Sequence, residues 1–209
     1  YEMLFDRLGI IRRGEAGGAP GGKTLLIIGG AGGVGSIAIQ LARQLTDLTV
    51  IATASRPDSV AWVKARGAHH VVDHRKPLQE ELSRIGIPAV DYIFSTNASD
   101  QHWEAITAAI APQGKIGLID DPAAIDVRAL KRKSASLHWE LMFTRSLFET
   151  PDVIRQHDIL NDVARLVDEG VIQTTAAENF GRINAANLTR AHALLESGKA
   201  IGKIVLSGF

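Results

Sequence analysis

The residues that decide the fold lead from an apolar run into a glycine-rich turn: Leu25-Leu26-Ile27-Ile28-Gly29-Gly30-Ala31-Gly32-Gly33-Val34-Gly35. The four apolar residues lie between Thr24 and Gly29, which is typical of a short strand buried on both faces. Apolar residues then recur with helical spacing from Val34 to Leu45. A strand, a glycine turn and a helix in this order predict the first unit of a parallel α/β sheet.

The glycine turn fits the pattern G-x-G-x-x-G over Gly30, Ala31, Gly32, Gly33, Val34 and Gly35. In a dinucleotide-binding turn the first glycine makes the tight bend and the second lets the backbone approach the pyrophosphate. The third lets the helix pack closely on the strand. The helix N-terminus adds N–H groups and a partial positive charge. We therefore predict a dinucleotide site here, and the alternative is a plain glycine turn.

A second phosphate-loop pattern lies just upstream and is rejected. Gly17, Gly22, Lys23 and Thr24 satisfy G-x-x-x-x-G-K-[ST]. Such a loop must leave a strand and enter a helix. Here the loop Gly14 to Lys23 leaves a predicted helix, Glu2 to Ile10, and enters the first strand, so its N–H groups are not gathered at a helix start.

Strands and helices continue to alternate along the chain. Strands are predicted at Thr49 to Thr53, Val71 to Val72, Val90 to Phe94, Lys115 to Ile119 and Ser136 to Met142. Helices are predicted from Pro57 to Arg66, from Leu78 to Ile85 and through Trp103, Ile106 and Ile110. This pattern predicts an α/β fold, a doubly wound six-stranded parallel sheet of the Rossmann type with right-handed crossovers.

Residues outside these six units suggest further organisation. We expect residues 1–13 to form an incoming helix, residues 14–147 the NAD(P)-binding domain, and residues 148–209 part of a second domain. The last segment is predicted to hold a long helix from Pro151 to Glu169, a short strand, another helix and a final strand at Ile204 to Leu206.

Composition excludes several classes of function. The chain of 209 residues carries 23 Lys plus Arg and 23 Asp plus Glu, so its formal net charge is zero. A balanced protein has no overall field that would attract nucleic acid or an acidic membrane. With no Cys in the sequence, disulfides and thiolate zinc sites within this chain are excluded. In the absence of a signal segment or long apolar run, we expect a cytoplasmic protein.

The end of the second strand bears on the choice of cofactor. NAD-specific sheets usually place a carboxylate there to bind the ribose 2′-hydroxyl, whereas this chain reads Thr53-Ala54-Ser55-Arg56. A hydroxyl and a guanidinium suit a 2′-phosphate, so Ser55 and Arg56 predict NADPH. Alternatively, Ser55 caps the next helix together with Asp58, and Arg56 is solvated. His74, after the third strand, either flanks the adenosine or lies on the surface.

Other catalytic patterns are missing. Tyr1 and Tyr92 have no Lys four residues later, so the Tyr-Lys pair of short-chain dehydrogenases is excluded, and no G-x-S-x-G occurs. His69-His70 has no carboxylate at ligand spacing, which favours solvated or core-edge side chains over a metal pair. We therefore nominate no metal ligand, and no catalytic acid, base or nucleophile.

Three separated motifs resemble the medium-chain dehydrogenase/reductase superfamily. They are Gly29 to Gly35, Gly67 to His74, and Ala191 to Lys199 followed by Gly202 to Leu206. The sequence is most similar to the quinone oxidoreductase and zinc-type alcohol dehydrogenase-like group. In place of the Asn-Tyr that the family often has after its third strand, this chain has Asp73-His74.

The resemblance implies a larger protein and further contacts. The family's N-terminal catalytic domain, a GroES-like barrel, is absent from this chain, and residues 148–209 would return to it. The family's zinc ligands lie mostly in that barrel, so the use of zinc stays open. The resemblance also implies nicotinamide contacts from the strand ends, at Ser95, Thr96, Asn97, Ile119, Asp120, Phe143 and Thr144.

These observations lead to one functional hypothesis with two alternatives. We expect hydride transfer from NADPH to a small carbonyl substrate, a quinone or other conjugated carbonyl, with the protein orienting the cofactor and excluding water. The alternatives are a zinc-dependent alcohol dehydrogenase and an NADPH-binding structural or sensor protein without turnover. We further expect no nucleic-acid or membrane partner, and a homodimer of the full-length protein.

Overall fold

A six-stranded parallel sheet forms the centre of the protein. The structure, a computed structural model, describes residues 1–16 and 22–209. The strands lie in the order β3-β2-β1-β4-β5-β6, and each neighbouring pair is parallel. Their bounds are β1 Thr24–Ile28, β2 Thr49–Thr53, β3 His70–Val72, β4 Val90–Ser95, β5 Ile110–Leu118 and β6 Ser136–Trp139. The predicted doubly wound α/β sheet of the Rossmann type is confirmed.

Helices cover both faces of this sheet, which explains why β1 is apolar at every inner position. Leu25 and Ile27 pack into one apolar cluster with Ile39, whereas Leu26 and Ile28 pack into a second cluster with Ile106. The helices of this part are α1 Gly33–Leu45, α2 Pro57–Ala65, α3 Leu78–Arg84, α4 Ser99–Ala109, a 3₁₀ helix Val127–Lys133 and the short α5 Thr144–Leu147.

The strand register positions the site. β1 pairs with β2 on one side and with β4 on the other, so the chain order of the strands reverses between β1 and β4. Ile28 lies beside Ser95, and Ile27 lies beside Ala52. The turn after β1 and the tips of β2 and β4 therefore meet at the carboxyl edge of the sheet, where ligands of open α/β sheets bind.

Several element boundaries differ from the prediction, including those around β5 and β6. Ile110 was assigned to a helix, but α4 ends at Ala109 and Ile110 begins β5 opposite Val90. β6 was predicted to reach Met142 and ends at Trp139, which pairs with Leu118. Because β5 itself ends at Leu118, the chain beyond Trp139 has no β5 residues with which to continue the ladder.

The N-terminal segment packs against the same sheet. A predicted helix from Glu2 to Ile10 is shorter in the structure, where a π-helical turn covers Met3–Arg7. Met3 and Leu4 of this turn are buried, and Leu8, which directly follows it, is fully inaccessible to solvent. Gly117 on β5 admits the Met3 side chain, since a Cβ at that glycine would collide with the Met3 sulfur.

The C-terminal segment begins with α6 Arg155–Asp168, which starts four residues later than the predicted Pro151. It continues with β7 Ala176–Asn179, α7 Ala185–Glu196 and β8 Lys203–Val205, and β7 and β8 form a parallel two-stranded sheet. Leu166 and Ile172 belong to the apolar cluster beneath α1. This segment therefore packs on the Rossmann sheet, while its role in completing a second domain stays a prediction.

Part of the rejected phosphate-loop pattern and of the predicted loop Gly14 to Lys23 lies outside the described residues, because residues 17–21 are not described. Lys23 directly precedes β1. Within residues 1–16 and 22–209, no helix has the length and apolar character needed to cross a lipid bilayer.

Candidate functional site: a cavity over the glycine turn

The chain bends sharply at Gly29, directly after β1. This glycine has a φ of 78°, a left-handed conformation that side chains other than glycine rarely adopt. A Cβ there would also collide with the Thr96 hydroxyl, and the Gly29 N–H donates a hydrogen bond to Thr53 Oγ1 at 3.0 Å. The tight bend that the motif assigned to Gly30 therefore lies one residue earlier.

Gly30 and Gly35 allow strand and helix to approach each other. A Cβ on Gly30 would lie 2.9 Å from the Ala52 Cβ. A Cβ on Gly35 would lie 2.7 Å from the Gly30 Cα and would collide with the Gly29 carbonyl oxygen. Gly35 thus has the close-packing role expected of the third glycine, and Gly30 packs against β2.

The N-terminus of α1 opens directly into the crevice. Gly32 is the N-cap residue, with its N–H donating to the Gly29 carbonyl at 3.1 Å, and the helix begins at Gly33. The N–H groups of Gly33, Val34 and Gly35 precede the first intrahelical hydrogen bond, so they lack helical acceptors. Together with the helix dipole they create a positive potential that suits phosphate.

A cavity of about 360 Å³ lies over this turn. Its wall comes from the ends of β1, β2 and β4, the start of α1, two histidines and a segment near the C-terminus. The residues are Ile28, Gly29, Ala31, Gly32, Gly33, Val34, Thr53, Ala54, Ser55, Arg56, Ser59, His74, Thr96, Asn97, His102, Gly198 and Ala200. Its volume falls within the usual range for sites of small ligands and cofactors.

The tip of β2 contributes a cation and no carboxylate. Ala54 is buried, while Ser55 and Arg56 line the cavity. The Arg56 guanidinium lies 3.4 Å from Asp58 and donates a hydrogen bond to the Lys199 carbonyl at 2.7 Å. Arg56 is therefore held at the cavity wall by contacts with Asp58 and Lys199.

The alternative role of Ser55, as the cap of α2, is wrong. Arg56 is the N-cap residue of α2, and the helix start is fixed one residue later than expected, by Ser59. The Ser59 hydroxyl accepts from the Arg56 N–H at 3.1 Å and donates to the Arg56 carbonyl at 2.9 Å. The Ser55 side chain therefore has no part in capping α2.

Two histidines line the cavity, His74 just after β3 and His102 on α4. The His74 and His102 rings are 6.4 Å apart between centroids and are tilted by 67°. Burial lowers the pKa of His74, and the Asp73 carboxylate opposes that shift. Imidazole rings can pack against a flat heterocycle, so this pair gives the cavity an aromatic wall. His102 was not identified from the sequence, because its position on α4 resembles any solvent-facing helix position.

A family model described as zinc-binding dehydrogenase matches residues 66–206. The chain belongs to the zinc-binding dehydrogenase family. This finding and the relatives below confirm the resemblance to the medium-chain dehydrogenases and reductases.

The relatives are consistent in fold and in length. A zinc-type alcohol dehydrogenase-like protein of Staphylococcus epidermidis is 39% identical over 99% of this chain, which covers 61% of that protein. A crystal structure from Rhizobium etli CFN 42, assigned there to the zinc-dependent alcohol dehydrogenases, is 56% identical with a TM-score of 0.89. All of this chain aligns with the Rhizobium protein, and the aligned part makes up 60% of that protein. A mycobacterial protein complexed with NADPH is 23% identical, with a TM-score of 0.75. The match covers 90% of this chain and 57% of the mycobacterial protein. The chain thus spans about three fifths of the length of its relatives.

The described residues do not fit a zinc ion. Residues 1–16 and 22–209 hold no group of three or more His, Asp or Glu side chains that could bind a metal. His69, one of the two adjacent histidines, accepts a hydrogen bond from the Val50 N–H through Nδ1 at 2.9 Å. That contact occupies one ring nitrogen in joining β2 to the start of β3.

Several predicted nicotinamide contacts lie away from the cavity wall. Thr96 and Asn97 line the cavity. Ser95 is buried beneath them, and Asp120 accepts hydrogen bonds from the N–H and hydroxyl of Ser99, at the start of α4. Ile119 packs at the edge of the core, and Phe143 lines a different cavity beside the N-terminus, with Thr144 next to it in sequence. Nicotinamide contacts from these residues stay predictions.

The family motif near the C-terminus contributes residues that no local pattern assigned to the site. Gly198 and Ala200 line the cavity, and the Lys203 side-chain stem crosses over Gly33. The sequence lacks a signal for this contact, because these residues are separated from the glycine turn by about 170 positions.

Proposed function

We propose that the protein is an oxidoreductase that uses NADPH to reduce a quinone or another conjugated carbonyl. The observation that carries this proposal is the cavity, in which a glycine turn and a helix N-terminus face a β2 tip bearing Arg56 and no carboxylate. Family membership supports the same class of chemistry. When bound, NADPH would supply the hydride, and the chain's own residues would bind and orient it.

Each part of the cavity suits one part of the cofactor. The N–H groups of Gly33 and Val34 would bind the pyrophosphate, because they lie at the positive end of α1. Ser55 and Arg56 would bind the ribose 2′-phosphate at the tip of β2. His74 and His102 offer flat surfaces for the adenine, and Thr96 and Asn97 are polar groups on the β4 side.

NADPH rather than NADH is favoured by charge. An acidic side chain at the end of β2 would accept hydrogen bonds from a 2′-hydroxyl and repel a 2′-phosphate, and the chain has Ala54 followed by Ser55 and Arg56. A guanidinium can make paired hydrogen bonds to a phosphate. The mycobacterial protein complexed with NADPH shares this fold, which is compatible with the proposal.

A zinc-dependent alcohol dehydrogenase is the second candidate. The names of the Staphylococcus and Rhizobium relatives favour it, and both relatives are longer than this chain. In that case the metal would be held by residues outside the described part of the chain.

The two candidates differ in their substrates and in their dependence on metal. We would measure NADPH oxidation by the full-length protein with a quinone, an enone and a simple aldehyde, before and after chelation, and determine its zinc content. The proposal expects turnover of the quinone or enone that survives chelation. Turnover confined to the aldehyde and lost on chelation would establish the second candidate instead.

A further inference from the structure

A segment near the C-terminus forms part of the cavity wall. This segment, which we call the strap, comprises residues Gly198–Lys203 and joins α7 to β8. Gly198 and Ala200 line the cavity. The Gly202 N–H donates to the Ala31 carbonyl at 2.8 Å, in a parallel bridge between Gly32 and Gly202. The strap is therefore hydrogen-bonded directly to the glycine turn.

Gly202 of the strap packs tightly against Trp62 and the Thr175 carbonyl. Its φ is 56°, and a Cβ there would lie 2.9 Å from the Trp62 ring and would collide with the Thr175 carbonyl. Trp62 is fixed by a hydrogen bond from its indole N–H to the Ser36 hydroxyl at 2.8 Å. A side chain at residue 202 would therefore push the strap away from α2 rather than displace the indole.

The strap also holds the arginine that we assign to the 2′-phosphate. The Lys199 carbonyl accepts a hydrogen bond from the Arg56 guanidinium at 2.7 Å, and Asp58 lies on another side of the same group. A guanidinium has five N–H donors in a planar fork. The hydrogen bond to Lys199 fixes the plane of the guanidinium. The N–H donors that point away from Lys199 and Asp58 can then bind a phosphate without breaking this hydrogen bond.

We propose that the strap determines the preference for a 2′-phosphorylated cofactor by orienting Arg56 through the Lys199 carbonyl. This inference rests on the proposed function, since it concerns the same cavity. Lys199 is a positioning residue and acts through its backbone. Because coupling between two binding events is reciprocal, a 2′-phosphate that engages Arg56 also stabilises the closed strap.

The test compares two glycine variants and two probes. Gly202→Ala displaces the strap, and Gly170→Ala is the matched control. Gly170 also has a positive φ, of 71°, but a Cβ there enters open space as far as the described chain extends. The probes are adenosine 2′,5′-bisphosphate and adenosine 5′-monophosphate, with dissociation constants measured by calorimetry for both variants and the wild type.

The ratio of the two dissociation constants is the decisive quantity. In the wild type the bisphosphate binds more tightly, and Gly202→Ala reduces that preference about 3- to 10-fold, the value of one hydrogen bond. Gly170→Ala leaves it unchanged. An unchanged ratio in Gly202→Ala overturns the inference. If the ratio is unchanged in Gly202→Ala but Arg56→Ala reduces the preference for the bisphosphate, the proposed cofactor site stands and only the role of the strap is refuted. Equal binding of both probes to the wild type overturns both proposals.

A second measurement needs only the wild type, which matters if Gly202→Ala does not fold. Hydrogen exchange of the Gly202 and Lys203 amides reports on the strap, because they donate to the Ala31 and Thr175 carbonyls. We expect the bisphosphate to slow this exchange several-fold more than the monophosphate does at equal site occupancy. Equal protection by both probes contradicts the coupling.

Discussion

Arg56 carries much of the argument for NADPH, and its surroundings set the size of the expected effect. Its side chain is 32% exposed and lies beside Asp58. At close range the gross attraction between a guanidinium and a phosphate is about 4 kcal/mol at an effective dielectric of 20. Desolvation and the neighbouring carboxylate offset most of it, so a net value of about 1.5 to 3 kcal/mol is expected for a hydrogen bond between charged groups.

Replacing this side chain should therefore change the selectivity of cofactor binding. Arg56→Ala is expected to weaken NADPH binding about 10- to 150-fold and to leave NADH nearly unchanged, as measured by fluorescence titration. Arg128→Ala is the matched control, because Arg128 also pairs with an aspartate two residues away but lies on the 3₁₀ helix. If Arg56→Ala weakens the binding of NADPH and NADH equally, Arg56 has only a structural role.

Substitutions at two glycines of the turn should have different effects, one on cofactor binding and the other on stability. A Cβ on Gly32 meets only the Gly29 carbonyl oxygen at 3.5 Å, an ordinary contact, whereas a Cβ on Gly35 collides with Gly29. Gly32→Asp is expected to abolish NADPH binding while circular dichroism and melting temperature stay near wild type. Gly35→Ala is expected to lower the melting temperature. Retained NADPH binding in Gly32→Asp would refute the pyrophosphate site.

At the scale of elements, the sequence predicted the central strands best. β2 was predicted from Thr49 to Thr53 and occupies those residues, because strands buried on both faces appear as uninterrupted apolar runs. The end of β6 differs from the prediction because it depends on where its neighbour β5 ends. The N-cap of α2 at Arg56, closed by the Ser59 hydroxyl, was not predicted because Ser55 offers an equally good local pattern. The strap was beyond prediction, since it forms through pairing of distant segments.

Helix α6 tests whether the C-terminal segment belongs to the same folding unit as the sheet. Leu166 is 3% exposed within the cluster beneath α1, and Leu160 on the same helix is 69% exposed. Leu166→Ala is expected to lower the free energy of unfolding by about 2 to 5 kcal/mol, because the smaller side chain leaves a cavity in the core. Leu160→Ala should change it by no more than about 0.5 kcal/mol. Denaturant unfolding measures both, and similar values would contradict the packing described.

The molecule as a whole leaves an apolar surface exposed after β6. Met142, Phe143 and Leu160 border a second cavity of about 460 Å³ next to Tyr1, and Trp139, Leu147 and Phe148 are also exposed. Met142, Phe143 and Leu160 share one cavity wall, and contiguous apolar surface is uncommon on soluble monomers. The described residues thus carry two separate features, a polar cavity over the glycine turn and an apolar face at the edge of the sheet.

This apolar face should make the chain self-associate. We expect sedimentation velocity to show concentration-dependent oligomers, and the double variant Met142→Ser and Leu160→Ser to shift the population toward monomer. Val127→Ser, at an exposed apolar residue on the 3₁₀ helix, serves as the control and should not alter the distribution. A wild-type chain that stays monomeric at high concentration would show that this face does not drive association.

The central claim is that the cavity over the glycine turn binds a dinucleotide and prefers the one with a 2′-phosphate. Titration of the chain of 209 residues with NADPH and with NADH, followed by cofactor fluorescence, tests it most directly. We predict saturable binding of NADPH that is at least about 10-fold tighter than that of NADH, as one hydrogen bond between charged groups requires. Tighter binding of NADH would contradict the assignment of Arg56, and binding of neither cofactor would contradict the site itself.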